Sequence, residues 1–512
     1  MPFCLSCKLT FQITAADLEF YSQVGPTIEG VTYSVPPPTL CPDCRFRRRL
    51  SFRNERSLYR RQSSLSGKNL ISIFAPDSPY QVYDRDEWWS DAWDPTSFGR
   101  PFDFNRNLAT QIIDLALAVP HPNLYNTNAE NSSFTNYALN IKNCYLVFGM
   151  SDSEDCLYGR FVRQSRDAVD CLSILRCELC YEAIGCESCY ECRFIMNSRF
   201  CQGCNFVEDC ESCTDCLVCY GLKQKQYYVG NEFVGKERYQ QLLKELMPLS
   251  SENFAELAAQ LSALKQKLHQ LISHIYQSED CTGDTIYNSH NCQSCFDIND
   301  CEESKFLCYT PKGIRSYDCT FNAPGGVRFC YEVCSSMGED CLGTFLNWNG
   351  TNVYYSMECD SCRDIFGCVG LKKRQYCILN KQYDRQSYFT LLPQIIDHLR
   401  QTKEWGEFFD PSVSMFAYNE TVAQENYPLS AAAASALGWR WRAEESITPA
   451  AVPNDSDVAI CKSSHAPFKI IPQERTFYEK MGLPLPALSP NERHQSRLLR
   501  RGARRMIFPA TH

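Results

Sequence analysis

Between residues 144 and 219 small apolar side chains return on a fixed beat: fourteen cysteines lie there, and every interval between them is a multiple of three. An amphipathic helix repeats every 3.6 residues and a strand every two, so neither accounts for this phase. A narrow β-solenoid does, because its short strands and turns bring back an inward-facing position at a fixed spacing. The pattern then recurs. At an offset of 149, Cys210-Glu-Ser-Cys213 falls on Cys359-Asp-Ser-Cys362, and Cys219-Tyr-Gly-Leu-Lys223 falls on Cys368-Val-Gly-Leu-Lys372. With small indels, Asp170-Cys171 matches Asp318-Cys319 and Cys180-Tyr-Glu182 matches Cys330-Tyr-Glu332. Between the copies, Phe254, Leu257, Leu261, Leu264, Leu268, Leu271 and Ile275 alternate steps of three and four, which predicts a helix with a heptad seam. That seam serves either packing against a preceding helix (239–247) or a homodimeric coiled coil through 254–275.

The predicted fold class is therefore mixed and mainly β: two Cys-rich β-solenoid-like blocks closed by helices, flanked by an N-terminal zinc ribbon and a degenerate C-terminal one. The segments are 1–62 (zinc ribbon with basic helix), 63–110 (degenerate Trp-rich ribbon), 125–235 (first block), 236–278 (helical hairpin), 279–383 (second block), 384–409 (helix), 410–460 (linker) and 461–512 (degenerate ribbon with basic tail).

The ribbons rest on ligand spacing. Cys4-Leu-Ser-Cys7 and Cys41-Pro-Asp-Cys44 are two CxxC knuckles, and four thiolates make a closed tetrahedral zinc site with no position open for catalysis. One structural zinc ion on Cys4, Cys7, Cys41 and Cys44 is expected. At an offset of 457, Cys4, Phe11, Ile13, Phe20 and Tyr21 fall on Cys461, Phe468, Ile470, Phe477 and Tyr478. The ligand positions of this copy read Cys461, Ser464, Ser489 and Glu492, so it is expected to hold no metal. Ser63-Ser-Leu-Ser66 and Asp84-Arg-Asp-Glu87 keep the same spacing without any cysteine.

Charge changes the picture at the ends. The net charge is −9, yet residues 1–61 carry +4, residues 461–512 carry +7, and the stretch between them −20. Arg45, Arg47, Arg48, Arg49, Arg53, Arg56, Arg60 and Arg61 follow the second knuckle directly, interleaved with aromatics. Guanidinium groups grip phosphate bidentately, so an anionic partner, nucleic acid first, is one reading of this segment. The other is pairing with the acidic middle of the same chain. Arg493, Arg497, Arg500, Arg501, Arg504 and Arg505 repeat the basic run at the far end.

No secretory signal and no apolar run of membrane-spanning length is visible, which predicts a cytoplasmic protein with reduced thiols. Phosphate-loop, dinucleotide, zincin and serine-nucleophile motifs are absent, and the expectation leans away from an enzyme. In combination, VPPPTLCPDCRFRRRLSFRNERSLYRR, SGK…YDRDEWWSDAWDP, the repeated C-x-G-L-K-x-x-Q-Y…N and FAYNETVA resemble a family of Cys-rich zinc-ribbon proteins found mostly in uncultured bacteria. The resemblance spans nearly the whole chain and implies architecture, not activity. Relatives often carry fuller cysteine sets in the later ribbons, which this chain lacks. The leading expectation is a non-enzymatic zinc-binding scaffold whose basic ends bind an anionic partner. The alternative is a multi-metal or thiol redox or metal-storage protein that uses the 27 cysteines of the two blocks.

Overall fold

The computed structural model describes residues 1–443 and 457–501. It divides into two compact units, one built from 1–123 and 273–442, the other from 124–272 and the described part of 443–503. Arg504 and Arg505 lie outside the described residues.

In the second unit, short strands from Asn126–Glu130 to Gln226–Val229 stack in parallel, and each residue pairs with the one twelve positions on. Asn126 pairs with Ala138, Cys180 with Cys192 and Thr214 with Gln226. Every third residue from Asn128 to Gly230 is left-handed, with φ between +45° and +69°. A non-glycine residue there costs about 1–2 kcal/mol. Interperiod hydrogen bonds offset the strain: the corner amides of Asp155, Asp170 and Asp209 donate to the carbonyls of Lys142, Leu157 and Met196 at 3.0–3.1 Å. Some corners also carry polar ladders, as where Asn128 donates to Asn140, which donates to Asp152, each at 2.9 Å.

The residue after each corner points inward, and this position carries the cysteines. Two neighbouring columns, Cys177/Cys189/Cys201/Cys213 and Cys180/Cys192/Cys204/Cys216, fill the interior with Ala, Val and Ile. Their thiols reach backbone carbonyls: Cys180 Sγ lies 3.4 Å from Glu178 O and 3.5 Å from Cys189 O, nine residues on. Small, weakly polar side chains suit an interior this narrow, and burial is normal for free cysteine.

The first unit holds the second parallel stack, from Ile275–Tyr276 to Gln375–Ile378. Its register slips: the step is eleven at Ile275↔Ile286, fourteen at Tyr317↔Tyr331, eleven again at Tyr331↔Leu342, and otherwise twelve. These slips account for the indels that separate the two copies in sequence. Apolar residues replace several thiols here, with Val353 and Ile365 standing where the other copy has Cys204 and Cys216. Burial pushes the Cys362 thiol up to about 11 and the Cys301 thiol up to about 12, whereas a hydrogen bond with Cys295 outweighs burial and pulls Cys292 down. Cys204→Val should accordingly change stability by less than about 1.5 kcal/mol in urea unfolding. A collapse of the unit would instead make Cys204 a ligand.

The heptad seam is shorter than the sequence predicts. The helix Ser251–Gln266 stops before Leu268, Leu271 is exposed, and Ile275 belongs to a strand. Leu257 and Leu261 are buried within the unit, and the Phe254 ring packs on Phe194 and Phe206 at 5.4 and 5.0 Å. Strands of the same unit cover Leu257 and Leu261, while Leu268 and Leu271 are exposed.

One buried histidine also belongs to the first unit. His121 Nδ1 lies 2.6 Å from Glu358 Oε2 and its Nε2 lies 2.7 Å from Ala116 O, so both nitrogens face acceptors. Burial, the largest influence, lowers its pKa, but the Glu358 charge and these hydrogen bonds together raise it above 6.5. A group whose folded pKa is raised stabilises fully below its unfolded value and loses that contribution as pH rises through the folded value. The urea midpoint should fall as pH rises from about 6 to 9, and His121→Gln should flatten that slope.

Candidate metal centre and its arginine clasp

The first ribbon brings its four predicted ligands together. The Sγ atoms of Cys4, Cys7, Cys41 and Cys44 all lie within 4.8 Å of one another, and among the described residues they are the one such group. Cys7 and Cys41 are 3.7 Å apart. Cys4, Cys41 and Cys44 are buried and Cys7 is exposed. The first knuckle is set by backbone bonds from Cys4 N to Leu9 O and from Lys8 N to Cys4 O, with Lys8 left-handed. The second stands at a helix start: Cys41 is the N-cap of Pro42–Leu50, and Cys44 lies in the first turn. A hydrogen bond from Cys41, with help from Ser6 and the Arg47 charge, overcomes burial and pulls the Cys44 thiol down to about 5. A thiolate at neutral pH is the form that binds metal.

The same wiring occurs twice more. Ser63 N bonds Lys68 O, and Gly67 N bonds Ser63 O; Cys461 N bonds Ala466 O, and His465 N bonds Cys461 O. Gly67 and His465 are left-handed, as Lys8 is. The strap to the second knuckle also recurs, as Leu5 N to Thr39 O, Ser64 N to Val82 O and Lys462 N to Ala487 O. Hydrogen bonds tie the knuckles where the ligands are missing: Ser63 Oγ donates to Glu87 Oε2 at 2.5 Å, and Ser489 N lies 3.2 Å from Cys461 Sγ. In the Trp-rich segment Trp88 is buried, and Lys372 Nζ sits 4.8 and 4.6 Å from the Trp88 and Trp93 ring centres.

Four arginines of the basic segment pair with carboxylates of the same chain, the second of the two readings its sequence allows. Arg45 pairs with Asp318 at 2.8 Å; Arg48 and Arg49 each pair with Glu332 at 2.7 Å; Arg48 also reaches Glu407 at 2.8 Å. Arg53 pairs with Glu55 at 2.6 Å and lies over the Phe321 ring. These four arginines are buried. Arg47 is half-buried, bonded to Ser6 and stacked over Trp439, and Arg61 caps the carbonyls of Ala75 and Tyr80. Arg56 is half-buried and Arg60, in a strand, is exposed. The physical reason is proximity: Asp318 and Glu332 lie on the strands that the Pro42–Leu50 helix covers, and a buried arginine takes the carboxylate held against it. Burial alone would push the Glu332 carboxyl up, but the Arg48, Arg49 and Arg45 charges outweigh it and hold it below its ordinary value.

The second unit repeats this clasp at equivalent residues. On the Pro490–Arg501 helix, Arg493 pairs with Asp170 and, at 3.0 Å, with Glu474; Arg497 pairs with Asp170 at 2.6 Å; Arg500 pairs with Glu182. Asp170 and Glu182 are the counterparts of Asp318 and Glu332. A tyrosine contact recurs as well, Tyr21 on Tyr331 at 5.3 Å and Tyr478 on Tyr181 at 5.5 Å.

No family model and no curated protein matches the chain. Among solved structures, one described as a putative acetyltransferase from Desulfovibrio desulfuricans G20 is 9% identical, covering 50% of this chain and 68% of that one. Its TM-score of 0.11 carries no argument about fold or activity. No helix among the described residues is long and apolar enough to cross a membrane.

Proposed function

We propose that the protein is a non-enzymatic scaffold of two β-solenoid blocks, in which one structural zinc ion on Cys4, Cys7, Cys41 and Cys44 holds the first ribbon. The observation that carries the metal is the thiol cluster itself. Four sulfurs 2.3 Å from a tetrahedral zinc stand about 3.8 Å apart, and Cys7 and Cys41 are already 3.7 Å apart. Four thiolates leave no open position for water or substrate, so the ion's work is to tie two knuckles together.

The solenoid reading rests on the twelve-residue parallel register, the left-handed corner at every third residue, and the inward columns of the first block. Thiol-to-carbonyl contacts favour packing as the role of the block cysteines over metal storage. The pairing of Arg45, Arg48, Arg49 and Arg53 within the chain weighs against these four of the eight arginines serving a nucleic-acid partner.

Elemental analysis of anaerobically purified protein tests this reading. About one zinc per chain is expected. Several metals per chain, or iron with sulfide, would instead give the function to the block cysteines.

A further inference from the structure

The three ribbons share one backbone wiring but differ in what ties their knuckles, and the two arginine clasps differ with them. In the first ribbon, Cys41 and Cys44 occupy the N-cap and first turn of the helix whose next residues, Arg45, Arg48 and Arg49, grip Asp318 and Glu332. The four thiols carry no disulfide, and a metal is the bond that would join all four. In the C-terminal ribbon, the corresponding helix is capped by hydrogen bonds. Ser489 N lies on Cys461 Sγ, and Glu492 N donates to Ser489 Oγ at 3.4 Å. That helix is also longer, twelve residues against nine, and Arg500 pairs with Glu182 where Arg48 pairs with Glu332 in the first clasp. The two clasps hold equivalent acids, one through a metal-tied helix and one through a metal-free helix.

We propose that the first clasp is metal-controlled: zinc occupancy of the Cys4/Cys7/Cys41/Cys44 site decides whether the Pro42–Leu50 helix stays docked on Asp318 and Glu332, while the Pro490–Arg501 clasp is permanent. The inference rests on the zinc reading above. The metal would fix the N-terminal end of the helix relative to Cys4 and Cys7; otherwise that end rests on a small apolar cluster (Cys4, Phe11, Cys41 and Cys44, with Ile13 and Leu40), on Leu5 N bonded to Thr39 O, and on the hydrogen bonds of Thr39 to Glu407 and of Tyr427 to Asp43. Without it, those contacts and three arginines must hold the helix on two buried carboxylates, with Cys41 and Cys44 no longer tied to the first knuckle through their sulfurs. Such a pairing tolerates little displacement, because desolvated charges are favourable only in close geometry. Cys7 is exposed, so a chelator can reach the site.

Hydrogen–deuterium exchange on the full chain, zinc-loaded and after treatment with a zinc chelator, reads both clasps in one sample. Amides of 42–50 should exchange about tenfold faster or more after chelation, with 490–501 unchanged. Zinc that leaves without faster exchange at 42–50, or with equal acceleration in both helices, overturns the metal-controlled clasp and leaves the zinc reading standing. Protein that takes up no zinc at all overturns both. Because the wild-type chain is used, no variant has to fold for the result to count, and Cys461→Ser, which should leave the zinc content and the 42–50 response intact, serves as the matched control.

Discussion

Cys44→Ser is expected to empty the metal site and unfold the first ribbon while Cys461→Ser, at the homologous ribbon, leaves its own fold in place. Structural zinc contributes about 10–16 kcal/mol of apparent binding free energy to small zinc-binding folds at neutral pH. The buried apolar cluster of the ribbon is too small to replace that. Serine is a poor ligand, and three thiolates without a fourth leave an open, labile site. The C-terminal ribbon has already made the exchange: its knuckles hold through Ser489 N on Cys461 Sγ and through the backbone wiring common to all three. Zinc content together with limited proteolysis of residues 1–50 checks this. A Cys44→Ser chain that keeps its metal and resists proteolysis would mean that the four thiols do not form the site.

The contrast explains which features of this molecule are legible in its sequence. Metal ligands declare themselves because chemistry fixes both residue type and spacing, and the four predicted thiols are the four that gather. The triplet phase of the cysteines is equally plain, because one inward position follows every left-handed corner. The length of the period is not, since a triplet repeat is compatible with any whole number of sides; only the i to i+12 register sets it. Helix ends were missed for a related reason. Leu268, Leu271 and Ile275 continue the heptad arithmetic, but the chain leaves the helix at Lys267, and apolar spacing carries no stop signal of its own. The arginine segment reads as a surface until its partners are found. The signal for them was present: Asp170 and Asp318, like Glu182 and Glu332, recur in the two blocks just as Arg493 and Arg497 recur Arg45 and Arg49. Paired repeats of opposite charge, rather than either run alone, mark an internal interface.

Glu332→Leu tests that interface with the second large effect. The carboxylate is fully buried and faces Arg48 and Arg49 at 2.7 Å, with Arg45 at 3.8 Å. Removing it leaves guanidinium charge in a dry environment, and breaking a buried pair from one side costs about 3–5 kcal/mol. Removing the charge on both sides is a different matter. A chain with Glu332→Leu, Arg48→Met and Arg49→Met together should recover most of that loss, because well-packed apolar replacements of buried ion networks are neutral or stabilising by about 1–4 kcal/mol. In that chain Asp318 still pairs with Arg45 at 2.8 Å, and Glu407, which loses Arg48, is partly reached by solvent and keeps its hydrogen bonds from Thr39. Glu182→Leu in the other unit should cost less, since Glu182 is partly reached by solvent at 10% side-chain exposure and Asp170 remains to hold Arg493 and Arg497. Urea midpoints of the four chains, wild type, Glu332→Leu, the triple variant and Glu182→Leu, separate the cases. If Glu332→Leu and Glu182→Leu were equally mild, the arginines would be solvated in the folded protein and free to engage an external anion after all.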